Sequence, residues 1–449
     1  MKFPHSDKSY IKNSPFWGGG GLLVFNFMKK ILLSTIIATA AVTVAVAQQN
    51  DQRLNKAITD ASWYHKALKS APSFRDLLKR RKNAVEQFRA IPTDALQPIT
   101  IKAFATAEQR AGTRHVIIRE HEYLNDSGYN NGGFDLGIGT PDQVISAIAG
   151  DLIDSYVTQA ALKGIDIDSL GINIKQTGPS LQDWGLKYTI YIDSPASDSQ
   201  LEELRLLAEQ NSPLYQFSIR AHKVNTELVY TRSADELVLP PTYQPGLREF
   251  IEWETRKGEG NRKLRESGQR PDKSKFGGYA YDYPYSRANP FTPAQTDSYL
   301  SPDGPSAFIN PSSGVTVLQV RHHRVLQDHP LYLGGNDLGP TAVESHIGLL
   351  GSCFTHVAEG TAARTKTPLD TLNVSLTAQF DPRAGRKGFE QTPLYPTDIK
   401  MRVFISSPRP EAEIRELVEK TEKGCPIYNL VTNAQVISGR IERVTARNK

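Results

Sequence analysis

Apolar residues in one stretch of the chain recur at spacings of three and four, as one face of an α-helix requires. The positions are Val343, Ile347, Leu350, Phe354 and Val357. Pro340 precedes them, and a proline bars a helix from extending backwards across it. Thr341 and Glu344 have the T-x-x-E spacing of a capping box, in which each side chain binds a backbone amide of the other residue. The pattern therefore predicts a long helix with a defined start at Thr341.

One cysteine lies beside this apolar face. Cys353 comes three residues after Leu350 and four before Val357. We therefore expect its thiol to be largely buried.

The same pattern occurs earlier in the chain. The letters GGFDLG at residues 132–137 match GGNDLG at residues 334–339, with an offset of 202. A second predicted capping box, formed by Thr140 and Gln143, follows the earlier copy, and another apolar face comes after it. Both copies then continue with strand patterns and a shorter helix, and both close in a Pro-x-Tyr sequence, with an offset of 213. We interpret this as an internal duplication that predicts paired domains.

The duplication divides the chain into five parts. Residues 1–47 form an upstream tail and a signal peptide, and residues 48–112 form a helical segment. Residues 113–232 are the first copy and residues 313–449 the second. Between the copies, residues 233–312 are rich in proline, glycine and tyrosine and are expected to form a linker or arm; residues 248–256 could be a short helix there.

The beginning of the chain has the three regions of a secretory signal peptide, from Met28 to Ala47. Lys29 and Lys30 are followed by an apolar run and by a small-x-small cleavage site that ends at Ala47. A membrane anchor is the alternative, but the apolar run is short for a membrane span. We expect an exported, periplasmic protein without stable membrane insertion after cleavage.

The charge balance argues against nucleic acid as a main partner. The chain has 53 Lys and Arg residues against 48 Asp and Glu residues, a formal net charge of +5 over 449 residues. So small an excess, spread along so long a chain, does not favour nucleic-acid binding.

The two cysteines occur only in the second copy. In the aligned copies Leu152 occupies the position of Cys353, and Ser212 occupies the position of Cys425. Because both thiols are absent from the first copy, we interpret them as a working pair. One structural bridge or two inert buried thiols is the alternative, since an exported compartment permits disulfides.

These residues resemble the osmotically inducible protein C and organic hydroperoxide resistance family, OsmC/Ohr. The resemblance is carried by the glycine-proline turn, by Glu344 nine residues before the helical Cys353, and by Cys425 in a Cys-Pro context after another helix. It covers about residues 315–445 well, and residues 113–232 as a degenerate copy without thiols.

The resemblance implies an α+β fold in which antiparallel sheets wrap two long central helices. In this family two identical subunits normally supply the two helices. Here the two copies would form an intramolecular pseudo-dimer, and the protein could then be a monomer.

The resemblance also implies a thiol peroxidase that reduces organic hydroperoxides without metal or flavin. Cys353 would be the nucleophile and Cys425 the resolving thiol, with a dithiol or thiol protein as reductant. A buried thiolate needs a positive neighbour, and family sites use an arginine held by the glutamate, which implies Glu344 and Arg321.

Several alternatives stay open. Arg324, Arg114 and Arg119 compete with Arg321 for the role of the activating arginine, and Glu344 could serve only as the capping acid. We expect His356, three residues after Cys353, to be a satisfied core histidine, and His322, His323 and His329 lack the spacing of a zinc site. A different class of function is a non-catalytic periplasmic binding or scaffolding protein with a structural Cys353–Cys425 disulfide.

Overall fold

The structure is a computed structural model. It describes residues 73–108, 113–126, 136–178, 180, 182–233, 246–267, 305–320, 323–329 and 335–444. The predicted tail and signal peptide, the tyrosine cluster at residues 279–285 and the predicted activating residue Arg321 lie outside the described residues.

Twelve strands and eight α-helices make up this part of the chain. The strands are β1 Ile99–Glu108, β2 Thr113–Ile118, β3 His121–Asn125, β4 Ser169–Gln176, β5 Leu186–Asp193, β6 Val224–Thr231, β7 Ser306–Ile309, β8 Thr316–Val320, β9 His323–Gln327, β10 Thr371–Phe380, β11 Thr397–Ser406 and β12 Ile437–Arg443. The helices are α1 Phe74–Ala90, α2 Thr140–Lys163, α3 Asp198–Asn211, α4 Pro213–Ser218, α5 Leu247–Glu266, α6 Ala342–Thr365, α7 Glu411–Gly424 and α8 Pro426–Thr432. The predicted α+β class is confirmed.

The centre of the fold is a pair of long helices, α2 and α6, each of 24 residues. The side-chain oxygens of Thr140 and Ser352 are 3.3 Å apart, so α2 begins beside the middle of α6. Likewise, the first turn of α6 and Asp151, in the middle of α2, line the same cavity. The two helices therefore run in opposite directions, and each begins beside the middle of the other.

The starts of the two central helices differ. The predicted capping box of α6 is confirmed, because the Thr341 side chain accepts from the Glu344 amide and the Glu344 carboxylate accepts from the Thr341 amide. The predicted box in the first copy is wrong. Gly139 is the N-cap of α2, without a side-chain cap, and Thr140 is already helical. The residues of α2 and α6 thus correspond at a constant offset of 202, without the one-residue change of offset that the predicted box implies.

Two six-stranded sheets cover the central helices. The strand order is β3-β2-β1-β10-β11-β6 in one sheet and β12-β5-β4-β7-β8-β9 in the other. Most neighbours are antiparallel, while β11 pairs with β6 and β12 with β5 in parallel. Each sheet therefore combines strands from both halves of the chain.

The segment 48–112 is not wholly helical as predicted. Its described part contains α1, which begins at a capping box between Ser73 and Asp76, and also strand β1. In β1 the side chains of Ile101, Ala103 and Ala105 are buried at alternate positions, which is the period of a strand that packs one face on a core. β1 pairs with β10, with Ile99 opposite Phe380, and so joins the two halves.

The segment 233–312 also contributes regular structure. The short helix predicted at residues 248–256 is part of the longer helix α5, which packs against α6. β7 pairs with β4 and β8 within the second sheet. None of the helices in the described ranges combines the length and the apolar character that crossing a membrane requires.

Candidate active site

The two thiols meet between α6 and the start of α8. Cys353 lies in the middle of α6 and is 3% exposed, as expected from its place beside the apolar face. Cys425 ends α7, is fully buried, and is the N-cap of α8, where its sulfur accepts a hydrogen bond of 3.4 Å from the Tyr428 amide. Both are free thiols in this structure. The structure therefore brings together the two cysteines that the sequence paired.

The surroundings shift the pKa values of the two thiols in opposite directions. Burial by itself raises the pKa of Cys353, but hydrogen bonds from the Cys425 thiol and the Ile427 amide, together with the charge of Arg114, bring that pKa below its usual value. Burial raises the pKa of Cys425 well above its usual value, and the neighbouring Cys353 raises it further. Cys353 is thus the more readily ionised of the two sulfurs, and the Cys425 thiol is its hydrogen-bond donor.

The positive charge near Cys353 belongs to Arg114 on β2. Its side chain is 2% exposed, and neither Nε nor Nη1 has a hydrogen-bond partner among the residues that the structure describes. Arg114 was one of the open alternatives to Arg321. Of the others, Arg324 is exposed and Arg119 binds elsewhere. Sequence alone could not choose Arg114, because β2 reaches α6 only through the strand order of the sheet.

The structure does not bring Glu344 to Cys353. Glu344 and Cys353 are nine residues apart, so their positions are about 13 Å apart along the helix axis and lie on opposite sides of α6. The Glu344 carboxylate instead accepts from Nε and Nη2 of Arg119, at 2.9 and 3.2 Å, in addition to the Thr341 amide. Arg119 also holds Asp337. Glu344 is therefore a capping residue in an ion-pair network away from the thiols.

The expectation that His356 is a core histidine is wrong. Its side chain is 44% exposed, and its Nδ1 lies 3.9 Å from Oε2 of Glu359. Glu359 is the buried member of this pair: neither of its carboxylate oxygens has a hydrogen bond within the described part of the chain. Burial raises the pKa of Glu359 to about 8, although the charge of Arg114 acts in the opposite direction. Sequence reasoning missed this residue; a glutamate between Ala358 and Ala362 in an apolar helix was the available signal.

We expect Glu359→Gln to stabilise the protein more at pH 8 than at pH 5. The folded state holds a proton that the unfolded chain releases above its ordinary pKa of 4.5. The free energy of unfolding of the wild type therefore decreases as the pH rises from 4.5 to 8, by up to about 4 kcal/mol. Urea unfolding at the two pH values measures this, since any packing cost of the amide is the same at both.

The matched control for that experiment is Glu419→Gln on the exposed side of α7. An exposed substitution of this kind changes stability by less than about 0.5 kcal/mol. An equal effect of Glu359→Gln at pH 5 and pH 8 would show that Glu359 ionises freely in the folded protein.

The first half of the chain has a similar arrangement without sulfur. Asp151 in α2 accepts hydrogen bonds from the Ser212 hydroxyl and, at 2.8 Å, from the Leu214 amide. Ser212 caps α4 as Cys425 caps α8, by accepting from an amide three residues later. The counterpart of Cys353 is therefore Asp151, and the predicted match with Leu152 is wrong because α2 and α6 align one residue differently.

Comparison with known proteins locates a family resemblance in the second half. Residues 334–438 match the family model described as OsmC-like protein. Among solved structures, a crystal structure of an OsmC like protein from Mycoplasma pneumoniae matches at 16% sequence identity over 27% of this chain and 84% of that chain, with a TM-score of 0.21. Curated proteins give no match. The predicted OsmC resemblance is thus confirmed for the part of the chain that carries both cysteines.

Proposed function

Residues 334–438 form an OsmC-like domain, and from its thiol pair we propose that this protein is a thiol-dependent peroxidase that reduces organic hydroperoxides. The observation that carries the proposal is the hydrogen bond from Cys425 to Cys353, with the pKa of the two thiols moved in opposite directions. In this proposal the sulfur with the lowered pKa is the nucleophile, and the neighbouring thiol with the raised pKa is the resolving thiol.

The first step oxidises Cys353. Its thiolate attacks one oxygen of the hydroperoxide, an S–O bond forms, and the O–O bond breaks. The alkoxide that leaves takes a proton and becomes an alcohol, while Cys353 becomes a sulfenic acid. The positive charge of Arg114 favours the thiolate that starts this step.

The second step joins the two sulfurs. The sulfur of Cys425 attacks the sulfur of Cys353, an S–S bond forms, and the S–O bond breaks. The hydroxide that leaves combines with the proton of Cys425 to give water. A dithiol or thiol protein then supplies two electrons and returns both thiols.

The exchange of strands between the halves supports a second part of the proposal. Arg114 comes from the first half and both cysteines from the second, and each sheet contains strands of both. The two halves therefore stand in for the two subunits of the family, and one chain completes the thiol site. From the sequence pattern at Met28–Ala47 we place this activity in the periplasm after export.

The test is a titration of the reduced full-length protein with cumene hydroperoxide, followed by intact mass and non-reducing peptide mapping. We expect one Cys353–Cys425 disulfide per equivalent of peroxide, and reopening by dithiothreitol without denaturant. Thiols that stay reduced would overturn the peroxidase. A bridge that opens only in denaturant would instead support the structural disulfide of a non-catalytic protein.

A further inference from the structure

The thiol-free counterpart site around Asp151 contains a cavity of about 260 Å³. Its walls come from α2, from the first turn of α6 and from the paired ends of β1 and β10. Ile99, one of the lining residues, is itself 37% exposed, so the cavity can be reached from solvent.

The lining of the cavity is partly apolar and partly acidic. Ile99, Ile101, Val343 and Phe380 are its large apolar members. Four carboxylates also line it: Asp151, Asp154, Asp328 and Glu344. The site is therefore shaped for a ligand with a hydrocarbon body and a group that interacts with acid.

Three of the four carboxylates already have compensating partners. Asp154 pairs with the buried Arg81 at 3.2 Å, and its other oxygen lies 3.6 Å from Nε2 of His329. Asp328 accepts from three backbone amides. Glu344 accepts from Arg119. None of these three needs a ligand to satisfy its charge.

Asp151 is different. It is only 8% exposed, and both of its described hydrogen bonds, from Ser212 and Leu214, end on Oδ2. Within the described ranges Oδ1 has no hydrogen-bond partner, and no cation is paired with this carboxylate. Burial raises the pKa of Asp151 to about 7, and the nearby Asp154 adds to the rise. The ionised form of Asp151, which lines the cavity, therefore has no positive partner among the described residues.

We propose that this cavity is a binding site for a small primary amine with an apolar body, whose ammonium group binds Oδ1 of Asp151. The ammonium supplies the donor and the charge that Asp151 lacks, and the hydrocarbon part lies against Ile101, Val343 and Phe380. The site is separate from the thiols, because it uses the residue that replaces Cys353 in the first half of the chain.

The test is isothermal titration calorimetry of the full-length protein at pH 8 with 2-phenylethylamine as the probe. 2-Phenylethanol has the same body without the charge. We expect the amine to bind one to one, and the alcohol to bind at least about tenfold more weakly, as expected for loss of a buried charge-assisted hydrogen bond. Equal binding of amine and alcohol, or no amine binding at millimolar concentration, would overturn the site.

Two variants locate the binding. Asp151→Asn, which keeps the shape of the side chain, should weaken the amine by at least about tenfold and leave peroxide consumption unchanged. Thr158→Trp should block the cavity without altering Asp151, because Thr158 lies two turns further along the same face of α2. If Asp151→Asn does not fold, Thr158→Trp still tests whether the amine binds in this cavity.

Cys353→Ser is the matched control, since it changes the corresponding position of the other half. It should leave amine binding unchanged while it removes peroxide consumption. Amine binding that survives both Asp151→Asn and Thr158→Trp would place the amine elsewhere. Because the two activities are measured separately, failure of the amine site and failure of the peroxidase are distinguishable.

Discussion

Cys353→Ser is expected to lower the rate of organic hydroperoxide consumption to the background rate of the buffer, a loss of more than about 10³-fold. A serine hydroxyl is not ionised at neutral pH and cannot form a sulfenic acid. The variant should keep its fold, because the hydroxyl can still accept from the Ile427 amide in place of the sulfur. The measurement is hydroperoxide loss with dithiothreitol as reductant, together with a thermal unfolding curve.

Cys425→Ser is the matched control for this prediction. It leaves the nucleophile in place, so the first equivalent of peroxide should still be consumed. Without a resolving thiol, the product is a Cys353 sulfenic acid, which a dimedone adduct detects by mass. Wild-type turnover in Cys353→Ser, or a dimedone adduct on Cys425 in that variant, would reverse the assigned roles.

Arg114→Gln is expected to lower the second-order rate constant for peroxide reduction at pH 7 by up to about tenfold. The charge of Arg114 helps to bring the pKa of Cys353 below its usual value, so its removal raises that pKa. A higher pKa means less thiolate at pH 7, and the sign of the effect is therefore a loss that recovers as the pH increases. Stopped-flow rates from pH 5 to 10 measure the shift of the profile.

Two further variants separate this charge effect from damage to the core. Arg114→Lys keeps a positive charge and should recover part of the rate, with a pH profile nearer to that of the wild type. Arg324→Gln removes an exposed arginine and should leave the rate unchanged. A pH profile of Arg114→Gln with the wild-type midpoint and only a lower plateau would show that Arg114 does not set the thiolate population.

The sequence was informative where the signal is local. The apolar spacing and the Thr341–Glu344 box predicted α6 to within one residue at its start. The placement of Cys353 beside the apolar face predicted its burial. The repeated patterns predicted strands, a long helix and a shorter helix in each copy, because each pattern depends only on neighbours a few residues away. The α+β fold with two long central helices was what the OsmC/Ohr resemblance implied.

The predictions failed where one residue of register decides the outcome. A single-residue shift in the comparison of α2 with α6 assigned Leu152 to the position of Cys353. On a helix that shift turns a side chain by about 100°, and the residue that contacts Ser212 is Asp151. The same shift predicted a cap at Thr140 that the structure does not have.

The sequence by itself determined the central helix and the place of Cys353 on it. It also determined that both thiols occur in the second half and neither in the first, which is why they were interpreted as a pair. Only the tertiary structure decided that Arg114 acts on Cys353, that Glu344 binds Arg119, and that Asp151 lines a cavity. The physical reason is that Arg114 and Cys353, and likewise Arg119 and Glu344, are more than 200 residues apart in the chain. The order of strands in a shared sheet brings them together. Side-chain chemistry shows which residues can interact, but the strand order and the rotation of each helix determine which of them meet.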